Sequence, residues 1–266
     1  MHEELKAQSR KMWSTGDYAP ASRRLEPAAV SLVETLGIGP GMRVLDVAAG
    51  HGNCAVAAAR RRATVVATDF SPKMIETGSA RTRNANLAVT WQEADAAALP
   101  FGDDAFDRVT STFGAIFAPE QEAVAAEAVR VVRSGGAVGL TAWTPDGLMA
   151  RLLAIRADAG LPRPPGASDS FRWGDPAVVA GLFEPLGCAV STERRQLTFR
   201  YPSWEQWRRD SEAHGMSAVA RELLPPDAYA EMLARVEAVT AEHDYGKGGS
   251  VVFDSDYLEI LVTKPA

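Results

Sequence analysis

The 266-residue chain is poor in cysteine, lysine and histidine, and no long apolar run occurs in it. Two cysteines, Cys54 and Cys188, are too few for any metal-ligand spacing and read as buried, reduced thiols. No stretch approaches the ~18 apolar residues that a membrane-spanning helix requires. The first residues, MHEELKAQSRKMW, are charged and carry no apolar h-region, so no secretory signal is expected and the cytoplasm is the expected compartment. Lysine is confined to Lys6, Lys11, Lys73, Lys247 and Lys264, and the formal net charge is −6. Phosphate backbones and anionic lipids attract basic faces, so this balance argues against nucleic acid or membrane as a partner. The short basic clusters at Arg60 to Arg62, Arg194-Arg195 and Arg208-Arg209 read as solvated faces.

What is present is a globular composition, 46% hydrophobic, in a length that suits one α/β domain carrying insertions or a small lid. Residues 1–40 read as a helical cap, with a helix expected from Pro27 to a C-terminal cap at Gly37. Short apolar runs follow: MRVLDVA, ATVVATDFS, LAVTWQEADA and DRVTSTFG, then AVGLTAW after a turn at Gly135-Gly136. Helical stretches separate them, one of them with Ser71 as N-cap and Pro72 in its first turn. Strand–helix–strand alternation of this kind predicts a parallel, doubly wound sheet spanning residues 41–144. The rhythm breaks over 145–175, where a helix-like stretch leads into the proline-rich LPRPPGASDS. Residues 176–201 read as a core continuation, 202–250 as a helical lid, and 251–266 as a last core strand.

The loop after the first run carries Gly50, His51 and Gly52 and opens a helix. Glycines let backbone approach a ligand closely, and a helix N-terminus offers free N–H groups. Gly50, Gly52 and Ala55 satisfy a dinucleotide-type G-x-G-x-x-A spacing, with Asp69 near a ribose position. Three features pull away from a dinucleotide, one being the stretch 1–40 before the first run, long enough for a helical cap over a cofactor. Asp46 interrupts a strand that dinucleotide domains keep apolar, and Asp95-Ala96 ends the third run, where a carboxylate and a backbone N–H can read an adenine edge. His51 is either a solvent-facing loop residue or a contact to ligand.

With those residues in place, the chain resembles the class I S-adenosylmethionine (SAM)-dependent methyltransferases. The resemblance lies in VLDVAAGHGN, VVATDFSPKMI, EADAAALPFGDDAFDRV and VRVVRSGG, in that order. It is similar to the subgroup that holds ubiquinone/menaquinone C-methyltransferases and many natural-product enzymes. One departure is visible: Ala48 stands where the family's loop carries its first glycine. The resemblance implies an α/β, Rossmann-like, mostly parallel seven-stranded sheet with an N-terminal helical cap and an inserted helical lid. It implies SAM as methyl donor and S-adenosylhomocysteine (SAH) as product. Carried over, Gly50 and Gly52 would face the methionyl part, Asp46 and Ala48 would belong to the same cofactor site, and Asp69 would take the ribose. Phe70 and Met74 would flank the adenine, Asp95 and Ala96 would read its edge, and Thr112 and Phe113 would floor the site. Trp13 and Tyr18 would close over the donor.

For the acceptor side the sequence offers less. His214 is the candidate general base, because histidine titrates near neutrality. His243, near the end of a helix, reads instead as a favourable partner for the helix dipole. Phe117, Trp143, Trp173, Trp204, Trp207 and Met216 are candidates for an apolar acceptor pocket. The expected function is methyl transfer to a small organic acceptor, aromatic or polyketide-like, by a monomer or homodimer without a metal. Two alternatives stay open: a methyltransferase-like fold with SAM-dependent non-methylating chemistry or binding alone, and an NAD-dependent oxidoreductase.

Overall fold

The computed structural model describes residues 2–161 and 168–266, so part of the proline-rich loop, 162–167, lies outside the described residues. Helices α1 (His2–Ser14) and α2 (Ala19–Thr35) precede β1 (Arg43–Val47). The chain then alternates through α3 (Asn53–Arg60), β2 (Thr64–Asp69), α4 (Pro72–Asn84), β3 (Val89–Glu93), β4 (Phe106–Thr112), α5 (Gln121–Val131) and β5 (Val132–Trp143). Helices α6 (Leu148–Asp158) and α7 (Pro176–Phe183) lead to β6 (Ala189–Tyr201). Helices α8 (Trp204–Ala213), α9 (Gly215–Leu223) and α10 (Pro226–Glu242) intervene before β7 (Val251–Thr263). The seven strands form one sheet in the order β3-β2-β1-β4-β5-β7-β6. Strands β1 to β5 are parallel, and β7 runs antiparallel to both β5 and β6. This is the expected doubly wound, mostly parallel sheet.

The period-two alternation of a strand sorts the core into two layers. In β1, Val44 packs with Ala29, Leu32 and Val33 of α2 and with the alanines of α3. Its neighbours Leu45 and Val47 face the opposite layer, with Val109, Val124 and Val138. The small residues of α3, Ala55 and Ala58 among them, are fully buried and let that helix lie close to the sheet. Helix α4 starts as expected: the Ser71 hydroxyl accepts the Met74 N–H.

Two boundaries differ from expectation. Helix α2 begins at Ala19 and carries Pro27 inside it; Pro20 occupies its first turn. Proline suits that first turn, where no N–H is needed. The apolar stripe Leu25, Ala28, Ala29, Leu32 and Val33 keeps the chain helical past Pro27, although its missing N–H costs one ladder bond. The expected cap at Gly37 is present: its N–H reaches Glu34 O, and Ile38 N–H reaches Val33 O. The second difference is at Gly135-Gly136, which lies within β5 beside a register shift in its pairing with β4 rather than in a turn before it. A bulge serves as well as a turn there, because Gly135 has φ +69°.

The lid helices share a small apolar cluster in which Ile155, Ala220 and Met232 are buried. Partly buried apolar residues such as Leu152, Leu233 and Val236 surround it, and exposed ion pairs lie at its rim: Arg235 pairs with Asp158 at 2.8 Å, and Arg151 with Glu242 at 2.9 Å. No described helix is long and apolar enough to cross a membrane.

Candidate active site

Strand order reverses between β1 and β4, and open α/β sheets bind ligands at the carboxyl ends of strands at such a point. A cleft opens there, with about 970 Å³ of unfilled space, part of it continuous with solvent. The segments after β1, β2, β3 and β4 form its floor, contributing Ala48 to Gly50, Asp69-Phe70, Ala94 to Ala96 and Thr112 to Ala115. Helices α1 and α2 and the turn between them close it from above.

The floor is made of backbone held under tight steric limits. A Cβ on Gly114 would sit 2.2 Å from the Ala48 carbonyl oxygen, so these two loops touch main chain to main chain. Gly52 has φ +74°, and a Cβ there would lie 2.8 Å from the Trp91 ring. Ala48 itself has φ +49° and Phe113 φ +53°. Both lie in the left-handed region, which costs a non-glycine residue roughly 1 kcal/mol or more. The family's glycine at position 48 would occupy that conformation without strain, which gives the alanine departure its physical cost.

Asp46 and Asp69 are both buried. Asp46 accepts from Ala55 N–H at 2.9 Å and from the Thr110 hydroxyl at 3.0 Å. Burial pushes its carboxyl up to about 7, and nearby Asp69 adds to the rise. Ala55 lies in the first turn of α3, so Asp46 supplies the anion at that helix N-terminus. A dinucleotide pyrophosphate would find the Ala55 N–H of that terminus already taken by the Asp46 carboxyl. Asp69 accepts from Gly50 N–H and Ser71 N–H, each at 2.9 Å, and burial raises its carboxyl as well. Its two oxygens brace the glycine loop against the start of α4 while the residue lines the cleft.

Asp95 caps its own turn through Ala97 N–H at 2.9 Å and pairs with Lys6 of α1 at 2.7 Å. Lys6 also pairs with Glu120, and the two carboxylates hold its ammonium above the usual lysine range. Helix α1 is fastened further along. Ser14 and Ser71 hydroxyls lie 3.1 Å apart, and Lys73 donates to the Gly16 carbonyl at 2.7 Å. Trp13 then packs edge-to-face on Phe117 at 5.1 Å and on Tyr18 at 5.4 Å, and Tyr18 reaches His51 at 5.7 Å.

Of the residues the sequence singles out for the donor, Trp13, Tyr18, Asp46, Ala48, Gly50, Asp69, Phe70, Met74, Asp95, Ala96, Thr112 and Phe113 all line this one cleft. Gly52 stands just behind it, as the left-handed residue that opens α3. Among the acceptor candidates only Phe117 lines it. Trp143 lies beneath the floor, stacked on Phe113 at 4.0 Å. Trp173 is fully buried against Phe183, because the 3₁₀ turn that carries it folds onto the main core. Trp207 is buried next to Trp204, in a separate depression between α8 and α10. Met216 is held by its backbone: its N–H donates to His214 and its carbonyl accepts from Arg156. Trp143, Trp173, Trp207 and Met216 are thus packing residues with respect to the cleft.

His214 needs correction as a base. Its Nδ1 caps α9 by accepting Met216 N–H at 3.2 Å, and burial lowers the ring to about 4. The neutral ring then carries its proton on Nε2, with no free lone pair for a proton in transit. It nevertheless touches the cleft wall, 5.3 Å from Tyr18 and 6.1 Å from Trp13 between ring centres. His243 does end α10 as expected, with Nδ1 and the Val239 carbonyl 2.9 Å apart.

Several lining residues were not singled out beforehand: Lys6, Ser9, Asn53, Cys54 and Ala115. The signal for the first two was available, since Lys6, Ser9 and Trp13 follow i, i+3, i+7 on one face of α1. Asn53 and Cys54 carry no pattern that separates a lining residue from a first-turn residue.

Comparison with known proteins adds an independent line. A family model described as "Methyltransferase domain" matches residues 44–136. The chain is 45% identical over 197 residues to an uncharacterized protein of Mycobacterium tuberculosis, covering 72% of this chain and 70% of that one. It is also 45% identical over 101 residues to a demethylmenaquinone methyltransferase of Mycobacterium tuberculosis, covering 38% of this chain and 41% of that protein. Among solved structures, the YcgJ protein of Bacillus subtilis superposes with a TM-score of 0.64 at 18% identity, over 90% of this chain and 99% of that one.

Proposed function

Because the chain belongs to the class I SAM-dependent methyltransferases, we propose that it transfers a methyl group from SAM to a small organic acceptor. The observation that carries this reading is the cleft itself. Three carboxylates, a main-chain floor at the β1/β4 switch and an aromatic wall converge on one opening. These residues fit the donor: the Gly50 loop and Asp69 both line the cleft, and Asp69 is held in place by backbone N–H donors on each of its oxygens.

SAM supplies, when bound, a methyl group already activated on a sulfonium sulfur. In this reading Gly50 and Gly52 hold the methionyl portion and Asp69 accepts from the ribose hydroxyls. Phe70 and Met74 flank the adenine; Asp95 and the Ala96 N–H read its edge, with Lys6 retained by Glu120. Thr112 and Phe113 bound the floor beneath the reacting centre. Trp13, Tyr18 and Phe117 exclude water and orient the acceptor, since in-line displacement from an activated donor depends mainly on positioning. No general base is assigned.

A small acceptor suits the acidic chain and the apolar wall. The demethylmenaquinone methyltransferase matched above supports the reaction class; its acceptor is not carried over, because the match covers only 38% of this chain. The capped α3 N-terminus weighs against the nicotinamide alternative. The test is an acceptor screen with SAH release as readout. SAH formation that depends on a small molecule supports the proposal. Methylation confined to protein or RNA refutes the acceptor class, and product formed without SAH moves the chain to the non-methylating alternative.

A further inference from the structure

Beside the aromatic wall stands a basic group without an acidic partner. Arg156, on α6, is only partly exposed. Its guanidinium donates to the Met216 carbonyl, and among the described residues no carboxylate pairs with it. Most arginines of the lid are different: Arg151, Arg208, Arg209 and Arg235 all pair with a carboxylate. The Met216 carbonyl takes one donor of Arg156, and none of the guanidinium nitrogens is both buried and without a partner, so the remaining N–H groups are open to another acceptor. Burial lowers its pKa, with only the Tyr229 hydroxyl acting the other way.

The groups around Arg156 do not neutralise it. His214 is neutral and lies close enough for the guanidinium to disfavour its protonation further. With Nδ1 committed to Met216 N–H, His214 presents Nε2–H as a donor. Arg156 of α6 grips Met216, two residues from His214, so the cation is tied to the α8–α9 junction that carries the donor. That junction is fastened to the mouth of the cleft. Asp17 N–H donates to Ala213 O at 2.8 Å, and the His214 ring packs on both Trp13 and Tyr18. A fixed cation, a fixed N–H donor and an aromatic wall therefore lie together, one ring away from the cleft.

We propose that Arg156 and His214 form the acid-recognising end of the acceptor site, so that the acceptor is a flat organic acid whose carboxylate is held by the Arg156 fork and the His214 Nε2–H while its apolar body lies along Trp13, Tyr18 and Phe117. The planar guanidinium matches a carboxylate with two parallel N–H donors, which a lysine cannot do. A cationic acceptor could use the same rings through their faces, but it would meet Arg156 with like charge, and among the described residues no carboxylate pairs with Arg156. The inference rests on the methyl-transfer reading and names the acceptor class for that site.

The test uses matched probes on the SAH-saturated protein: 1-naphthoate, 1-naphthamide and 1-naphthylmethylammonium, titrated calorimetrically. The expected result is naphthoate bound at least about tenfold more tightly than the amide, with the ammonium weakest. Arg156→Gln should remove that preference while SAH affinity stays unchanged. Equal binding of acid and amide, preferred binding of the ammonium, no naphthoate binding, or an undiminished preference in R156Q overturns the proposal. Should R156Q lose SAH binding through misfolding, R156K takes its place. There the preference should fall about threefold or more with the fork gone, and an unchanged preference overturns the assignment. Failure of the wild-type protein to bind SAH at all would refute the methyl-transfer reading instead.

Discussion

The two sides of the cleft are built by different means. Its floor comes from main chain and short carboxylates at the ends of four neighbouring parallel strands, so contiguous sequence segments become contiguous surface. Its roof and far wall come from side chains on α1, α2 and the segment after β4, with the His214 ring of the α8–α9 junction packed behind Tyr18, segments up to about two hundred residues apart. The floor leans on a large two-layered core, whereas the lid reaches that core through a few residues such as Leu148 and Trp207 and otherwise rests on the cluster around Ile155, Ala220 and Met232 and on exposed ion pairs worth little each. A backbone-built site is fixed by conformation and leaves a local motif; a side-chain-built site is fixed by packing and leaves none.

The largest test of this contrast is the pH dependence of stability without ligand. Asp46, on the floor, has its pKa raised to about 7. Between about pH 4 and 7 the native state keeps a proton that the unfolded chain has lost, so this group makes stability fall as pH rises through that window. His214, on the lid, is lowered to about 4. Between about pH 4 and 6.5 the unfolded chain holds the extra proton, so this group makes stability rise with pH. Each effect is bounded at roughly 3–4 kcal/mol. Asp46→Asn should leave a profile that rises through pH 4–6.5, and His214→Gln one that falls. Wild-type profiles for both variants in denaturant titrations would contradict the assigned environments.

Next in size is Gly114→Ala, which drives a Cβ against the Ala48 carbonyl and should destabilise the fold by about 3 kcal/mol. Urea unfolding checks this, and a loss below about 1 kcal/mol would mean that the floor yields. Asp69→Ala should weaken SAM binding by on the order of 1.5–3 kcal/mol, the worth of a hydrogen bond to a charged group. Unchanged affinity by calorimetry would remove Asp69 from the donor site. Smallest is Ala48→Gly, which relieves the left-handed alanine and should raise stability by about 1 kcal/mol, read as a higher urea midpoint.

The same contrast explains what could be read from the sequence. The doubly wound parallel sheet, the glycine loop and the carboxylates at 46, 69 and 95 were legible, because such a sheet converts strand ends into one surface. The aromatics of the later segments were not. Trp173 and Trp207 look like pocket residues by composition, yet whether a 3₁₀ turn or a face of a lid helix turns toward the core is decided by long-range packing. His214 was noticed for its titration, while the structure spends its Nδ1 on capping α9, a local event that its neighbour Gly215 does not announce. Arg156 gave no signal, since an unpaired arginine is recognised only once its surroundings are known. Pro27 misled for a related reason: a tertiary apolar stripe outweighed a local helix breaker.

The most direct test of the central claim is calorimetric titration of the purified chain with SAM, SAH and NADH. A floor built around Asp46, Asp69 and the Gly50 loop should bind SAM and SAH and leave NADH silent. Binding of NADH with neither SAM nor SAH bound would contradict the account.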